Sequence, residues 1–133
     1  MTTPTLVTDA PLAYQHWGRI EDNERLVVLL HGVGGSRDSW SDALSGTGSA
    51  LAEAGFCAIA IDLPGYGHSP LPEYLDMQRM SSLVLETLWS LRRHCAARLA
   101  LVGHSMGGMV ALDLIAGAPQ EIDAMVLLAT SPA

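Results

Sequence analysis

Between Leu99 and Gly108 an apolar run, Leu-Ala-Leu-Val, stops at Gly103, and a second apolar stretch with helical spacing begins after Ser105. That pattern is a strand, a sharp turn and a helix, with a serine at the apex. Gly103-His104-Ser105-Met106-Gly107 fits G-x-S-x-G. Small residues two before and two after the serine let strand and helix approach closely enough to hold it in a strained, exposed conformation. Ser105 is therefore a candidate nucleophile.

The rest of the chain reads as units built on the same plan. Residues 1–11 are polar with two prolines and suggest an extended lead-in, and Leu12–Gly18 an edge strand followed by a turn at Asp22-Asn23. Leu26–Leu30 is continuously apolar, which suits a strand covered on both faces in a parallel sheet. A helix start at Ser39 is followed by Gly46 and Gly48, so the first helix is expected to be broken before Gly55. Phe56–Ile61 reads as a second buried strand. From Asp76 to Cys95, Met80, Leu83, Val84, Leu88 and Leu91 recur at spacings of three and four, an amphipathic helix. Leu99–Val102 is the third buried strand. Met106–Gly117 is an almost wholly apolar helix whose one charge is Asp113, so it must be buried against the sheet. Ala124–Leu128 is read as a fourth buried strand. Strand and helix alternate at a spacing that implies parallel strands and right-handed crossovers. The class is α/β, three layers α/β/α with a mostly parallel sheet, in one domain spanning 1–133.

Composition narrows the function classes. An apolar fraction of 49% over 133 residues is ample for a core. Seven basic against fourteen acidic residues give a net charge of −7, and the longest basic cluster is Arg92-Arg93. A nucleic-acid or anionic-membrane partner is thus not expected. The first eleven residues lack the basic and apolar regions of a signal peptide, and no apolar run is long enough for a bilayer, which reads as cytoplasmic. Cys57 and Cys95 form no C-x-x-C and cannot make a zinc site alone, so they are read as reduced, small apolar residues.

Three loops leave the carboxyl ends of buried strands: His31-Gly32-Val33-Gly34-Gly35-Ser36, Asp62-Leu63-Pro64-Gly65-Tyr66-Gly67-His68-Ser69, and the turn at 103–107. In an open α/β sheet such loops converge on one crevice. A serine nucleophile needs a base and donors for the oxyanion that forms on the attacked carbonyl. The helix beginning at Met106 offers its first amide, and the glycine-rich loop offers that of Val33.

These three ordered motifs resemble the α/β-hydrolase superfamily over roughly residues 12–130. The likeness is closest to the esterase-like branch with carboxylesterases, acyl-carrier esterases, C–C bond hydrolases and cofactor-independent haloperoxidases. The resemblance implies Ser105 as nucleophile and the amides of Val33 and Met106 as the oxyanion hole. It further implies His31 and Gly32 with Gly34 as the shaped oxyanion loop, and Asp62, Gly65 and Gly67 as the second motif loop. Gly103, His104, Gly107 and Gly108 would form the nucleophile turn. The implied reaction takes a small acyl ester and needs no cofactor or metal. A serine rather than an aspartate at 105 argues against the haloalkane dehalogenase and epoxide hydrolase chemistries.

The family orders its triad Ser, acid, His. After Ser105 this sequence holds Asp113, Glu121 and Asp123 but no histidine. The expectation is the N-terminal half of the fold, without the cap and the last strands, whose base and acid lie in a longer chain or arrive from a partner. Among the histidines present, His31 and His104 read as scaffold, His68 as a turn residue or makeshift base, and His16 and His94 as surface residues. Asp62 reads as the cap of its own loop. Trp40 either lines the crevice or packs behind the oxyanion loop. The alternative function is a non-catalytic hydrolase-like domain that binds a small ligand or self-associates. Its motive is that Ala124–Leu128 would be a bare apolar edge.

Overall fold

The computed structural model describes residues 3–21, 24–92 and 98–130. Six strands, β1 (Thr5–Val7), β2 (Tyr14–Trp17), β3 (Arg25–Leu30), β4 (Cys57–Ile61), β5 (Arg98–His104) and β6 (Ala124–Leu128), form one sheet in the order β1-β2-β4-β3-β5-β6. The four strands from β3 to β6 pair in parallel, whereas β2 joins β4, and β1 joins β2, in antiparallel register. From β3 the chain steps outward to β4 and then returns to β5 on the other side of β3. Strand order therefore reverses between β3 and β5. A crevice opens at such a switch point, beyond the carboxyl ends of the two strands.

Right-handed crossovers in opposite directions put helices on opposite faces. α2 (Met77–Arg92) and α3 (Met106–Gly117) cover one face over Val28, Ile59 and Leu101. On the other face α1 (Thr47–Glu53) and a 3-10 turn at Arg37–Trp40 cover Val27, Leu29, Ala58 and Ala60, with Trp17 and Trp40 beside them. The three-layer reading holds, and β3 and β4 are buried on both faces.

Several expectations need correction. Leu12–Gly18 is not an edge: β2 lies one strand in, and the edge is the three-residue β1 inside the supposed lead-in. The first helix does not start at Ser39. Ser36 caps the 3-10 turn, accepting from the Asp38 N–H, and α1 begins separately at Thr47. Gly48 lies inside α1 because the indole of Trp17 packs there; a Cβ would stand 2.5 Å from Trp17 Cε2. β5 runs longer than Leu99–Val102 and alternates: Leu99, Leu101 and Gly103 are buried against α3, while Ala100 and Val102 on the other face are half-buried. β6 is not a buried strand. Its partner among the described residues is β5 alone, and Val126, Leu127 and Leu128 are 49%, 38% and 43% exposed. α3 buries Val110, Ala111 and Leu114, whereas Met109, Leu112 and Ile115 are half-buried, so an all-apolar helix here is covered on one side. Trp40 is buried in the second core cluster with Trp17, Val27 and Leu29. Cys57 is buried, as expected. The turn at Asp22-Asn23, His94 and Cys95 lie outside the described residues.

Candidate active site

Both sides of the switch point are marked by glycines that permit close contact. A Cβ at Gly107 would run into the carbonyls of Leu30 and His31, standing 2.7 Å from the His31 oxygen. A Cβ at Gly103 would stand 2.5 Å from the Gly108 Cα. These contacts seat the first turn of α3 directly on the end of β3. Ser105, between them, has φ 54° and ψ −113°, a combination costly for a residue with a side chain. Its N–H donates to Leu128 O at 3.0 Å, and its carbonyl accepts from the Gly108 and Met109 amides. Its hydroxyl does not cap α3. Met106 is the first helical residue, so its N–H has no carbonyl one turn back.

The loop after β3 lies against this turn. A Cβ on Gly32 would be 3.3 Å from Ser105 Cβ and 3.0 Å from His104 Nδ1, so the loop packs tightly against the turn and a larger residue would push on both side chains. The Gly35 N–H donates to Gly32 O at 3.0 Å, closing a turn with Val33 and Gly34 in its centre. Gly34 has φ +79°, which marks a type II turn and explains the glycine. The Val33 side chain, 74% exposed, stands at the tip.

Two clasps hold this loop to the one after β4. The first is His31, fully buried. The Leu63 N–H donates to its Nε2 at 3.0 Å, so Nδ1 carries the proton that binds Gly32 O at 2.8 Å. Tyr66 meets the ring edge-on at 5.0 Å. Both ring nitrogens are committed, which makes His31 scaffold. Burial pushes its imidazole below the ordinary pKa, opposed by the Gly32 carbonyl and the Asp62 carboxylate. The unfolded chain then takes up the proton first, so stability is complete above about pH 6.5 and falls as pH drops below it. Urea midpoints measured from about pH 7.5 down to about pH 5.5 should decline in the wild type and stay nearly level in His31→Gln. A level wild-type profile would count against the clasp.

The second clasp is Asp62, also fully buried. As expected it caps its own loop, accepting from the His68 N–H at 3.0 Å. It also accepts from the Arg37 backbone N–H at 2.7 Å and from the Arg37 guanidinium at 2.6 Å, a contact the sequence did not reveal. Arg37 Nε reaches Gln15 on β2. Gly67, at φ +53°, has the Asp62 carboxylate where a Cβ would be. Gly65 turns the same loop at φ +85°.

His104 is exposed at the end of β5, His68 is exposed on its loop, and His16 Nδ1 lies 2.7 Å from Gly18 O on β2. Asp113 is exposed on α3, and Asp123 Oδ2 accepts from the Leu99 N–H at the opposite end of the sheet. No group of three or more His, Cys, Asp or Glu side chains that could hold a metal ion occurs among the described residues. No helix among them is long and apolar enough to cross a membrane.

The model of the alpha/beta hydrolase fold family matches residues 25–133, which contain all three loops. The chain belongs to this family. It is 30% identical over 117 residues to a pimeloyl-[acyl-carrier protein] methyl ester esterase of Vibrio parahaemolyticus, covering 88% of this chain and 41% of that protein. It is 36% identical over 107 residues to Esterase Rv0045c of Mycobacterium tuberculosis, covering 80% of this chain and 33% of the esterase. The solved structure of that esterase superposes with a TM-score of 0.75 over 99% of this chain and 42% of its own length. The epoxide hydrolase CorEH superposes with a TM-score of 0.80 at 26% identity, covering 100% of this chain and 44% of that one. The chain thus spans about 33–41% of the length of these curated relatives.

Proposed function

We propose that this α/β-hydrolase chain carries the nucleophile and oxyanion hole of a serine hydrolase acting on a carboxylic ester or related acyl substrate. Ser105 Oγ attacks the acyl carbon and yields its proton to a base, while the charge that develops on the carbonyl oxygen falls between the amides of Val33 and Met106. The tetrahedral adduct expels the alcohol, which takes up the proton, and leaves the acyl group esterified to Ser105. Water repeats the sequence and releases the acid. The observation that carries this reading is the backbone of Ser105, held at positive φ between β5 and α3 with its hydroxyl uncommitted to the helix. His31 is not the base, since both ring nitrogens are engaged, and no histidine follows Ser105. A base and acid supplied by a longer chain or by a partner would complete the reaction.

The experiment is a fluorophosphonate reaction with imidazole as added base, followed by trypsin and mass mapping. No Lys or Arg follows Arg98, so Ser105 falls in the peptide 99–133. An adduct on Ser105 within that peptide is expected; an adduct confined to other residues would overturn the reading.

The exposed face and edge of β6 favour a second reading, a non-catalytic domain that pairs with another copy along this strand. Sedimentation velocity over a range of concentrations separates the two. A mass that rises with concentration, and is returned to monomer by Val126→Lys, with no Ser105 adduct, supports the second. A monomer at all concentrations removes it.

A further inference from the structure

Among the described residues, Ser105 (φ 54°) and Ala129 (φ 48°) are the two non-glycine residues at positive φ. They are joined through one atom. The carbonyl oxygen of Leu128, which immediately precedes Ala129, accepts the Ser105 N–H at 3.0 Å and also the hydroxyl of Thr130 at 3.0 Å. A carbonyl has two lone pairs, so both donors bind at once. Thr130 is itself pinned from the other side. Its Cγ2 and Cβ would stand 2.6 and 2.7 Å from a Cβ on Gly108, so the missing side chain in the first turn of α3 is the space that Thr130 fills.

We propose that Thr130 is a positioning residue for Ser105: its hydroxyl orients the Leu128 carbonyl toward the Ser105 N–H and so holds the serine at its strained φ. The role of Gly108 follows from the same contact. Gly103 and Gly107 let α3 reach the sheet, whereas Gly108 admits Thr130 against the turn. The catalytic meaning of this lock rests on the reading of Ser105 as nucleophile, but the lock itself is a backbone property that can be measured without turnover.

Thr130→Val keeps the shape and removes the hydroxyl, and Thr130→Ser keeps the hydroxyl. Amide hydrogen exchange, followed by NMR, reads Ser105 against Val28 in the central strand β3. Loss of one hydrogen bond from the turn should raise the Ser105 exchange rate relative to Val28 by about fivefold to tenfold in Thr130→Val. Thr130→Ser should return the ratio to that of the wild type. Val28 reports any general loss of stability, so a rise at Ser105 beyond the change at Val28 is local, and Thr130→Ala serves as a second hydroxyl-free variant should the valine form not fold. A Thr130→Val or Thr130→Ala ratio equal to that of the wild type, or a Thr130→Ser ratio as high as theirs, would overturn the proposal. Fluorophosphonate labelling of the same proteins, with imidazole present, separates this from the function. If the exchange ratios behave as expected and labelling slows with the hydroxyl-free forms, both stand; if no form is labelled at Ser105, the nucleophile reading fails and exchange alone decides the lock.

Discussion

Arg37→Ala is expected to lower stability by about 3–5 kcal/mol, the cost typical of breaking a buried ion pair by removing one partner. The estimate applies here because Asp62 is fully buried and the Arg37 side chain is 12% exposed, so water screens the pair little. Removing the guanidinium leaves the Asp62 carboxylate with the two amides of Arg37 and His68 and no positive charge. Arg37→Lys should recover part of the loss, since a lysine keeps the charge but not the second contact to Gln15. Chemical denaturation of the three proteins checks this. An Arg37→Ala midpoint within experimental error of the wild type would mean that the pair is solvated and that something else holds the two loops together.

Gly107→Val is expected to cost about 3 kcal/mol or more and to disable the site, at the upper end of what overpacking does. The obstruction is backbone, the carbonyls of Leu30 and His31, which cannot move aside without unpairing β3 from β4 and β5. α3 must instead retreat, taking the Met106 amide and the Ser105 backbone with it. A folded Gly107→Val protein should therefore show chemical-shift changes concentrated at residues 30–32 and 103–108 and lose Ser105 labelling. A variant that folds and labels like the wild type would contradict the close seating of α3 on β3.

What the sequence disclosed depended on whether a feature was local. The runs Leu26–Leu30 and Phe56–Ile61 announce buried parallel strands because both faces need apolar residues, and those strands are found there. The turn at Ser105 is equally local, since its glycines lie within three residues of the serine. β1 was hidden because three residues, Thr5-Leu6-Val7, carry no period. The exposure of β6 is not legible for a different reason: an apolar run records what a strand is suited to pack against, not what packs there. Arg37 was invisible as a site residue because its partner is 25 residues away, and an arginine after a serine looks like any surface charge. Thr130 was overlooked likewise, being two residues beyond a strand with nothing in its neighbours to connect it to Gly108.

The most direct measurement is the rate of Ser105 phosphonylation as a function of imidazole concentration, for the wild type and for Ser105→Ala, followed by intact mass. Added imidazole supplies a diffusible general base, much as a neutral side-chain imidazole would. The expected result is a single adduct whose rate rises with imidazole in the wild type and which is absent in Ser105→Ala. An adduct that forms equally fast in Ser105→Ala, or a wild-type protein that stays unmodified at every imidazole concentration, would contradict the assignment of Ser105 as the nucleophile.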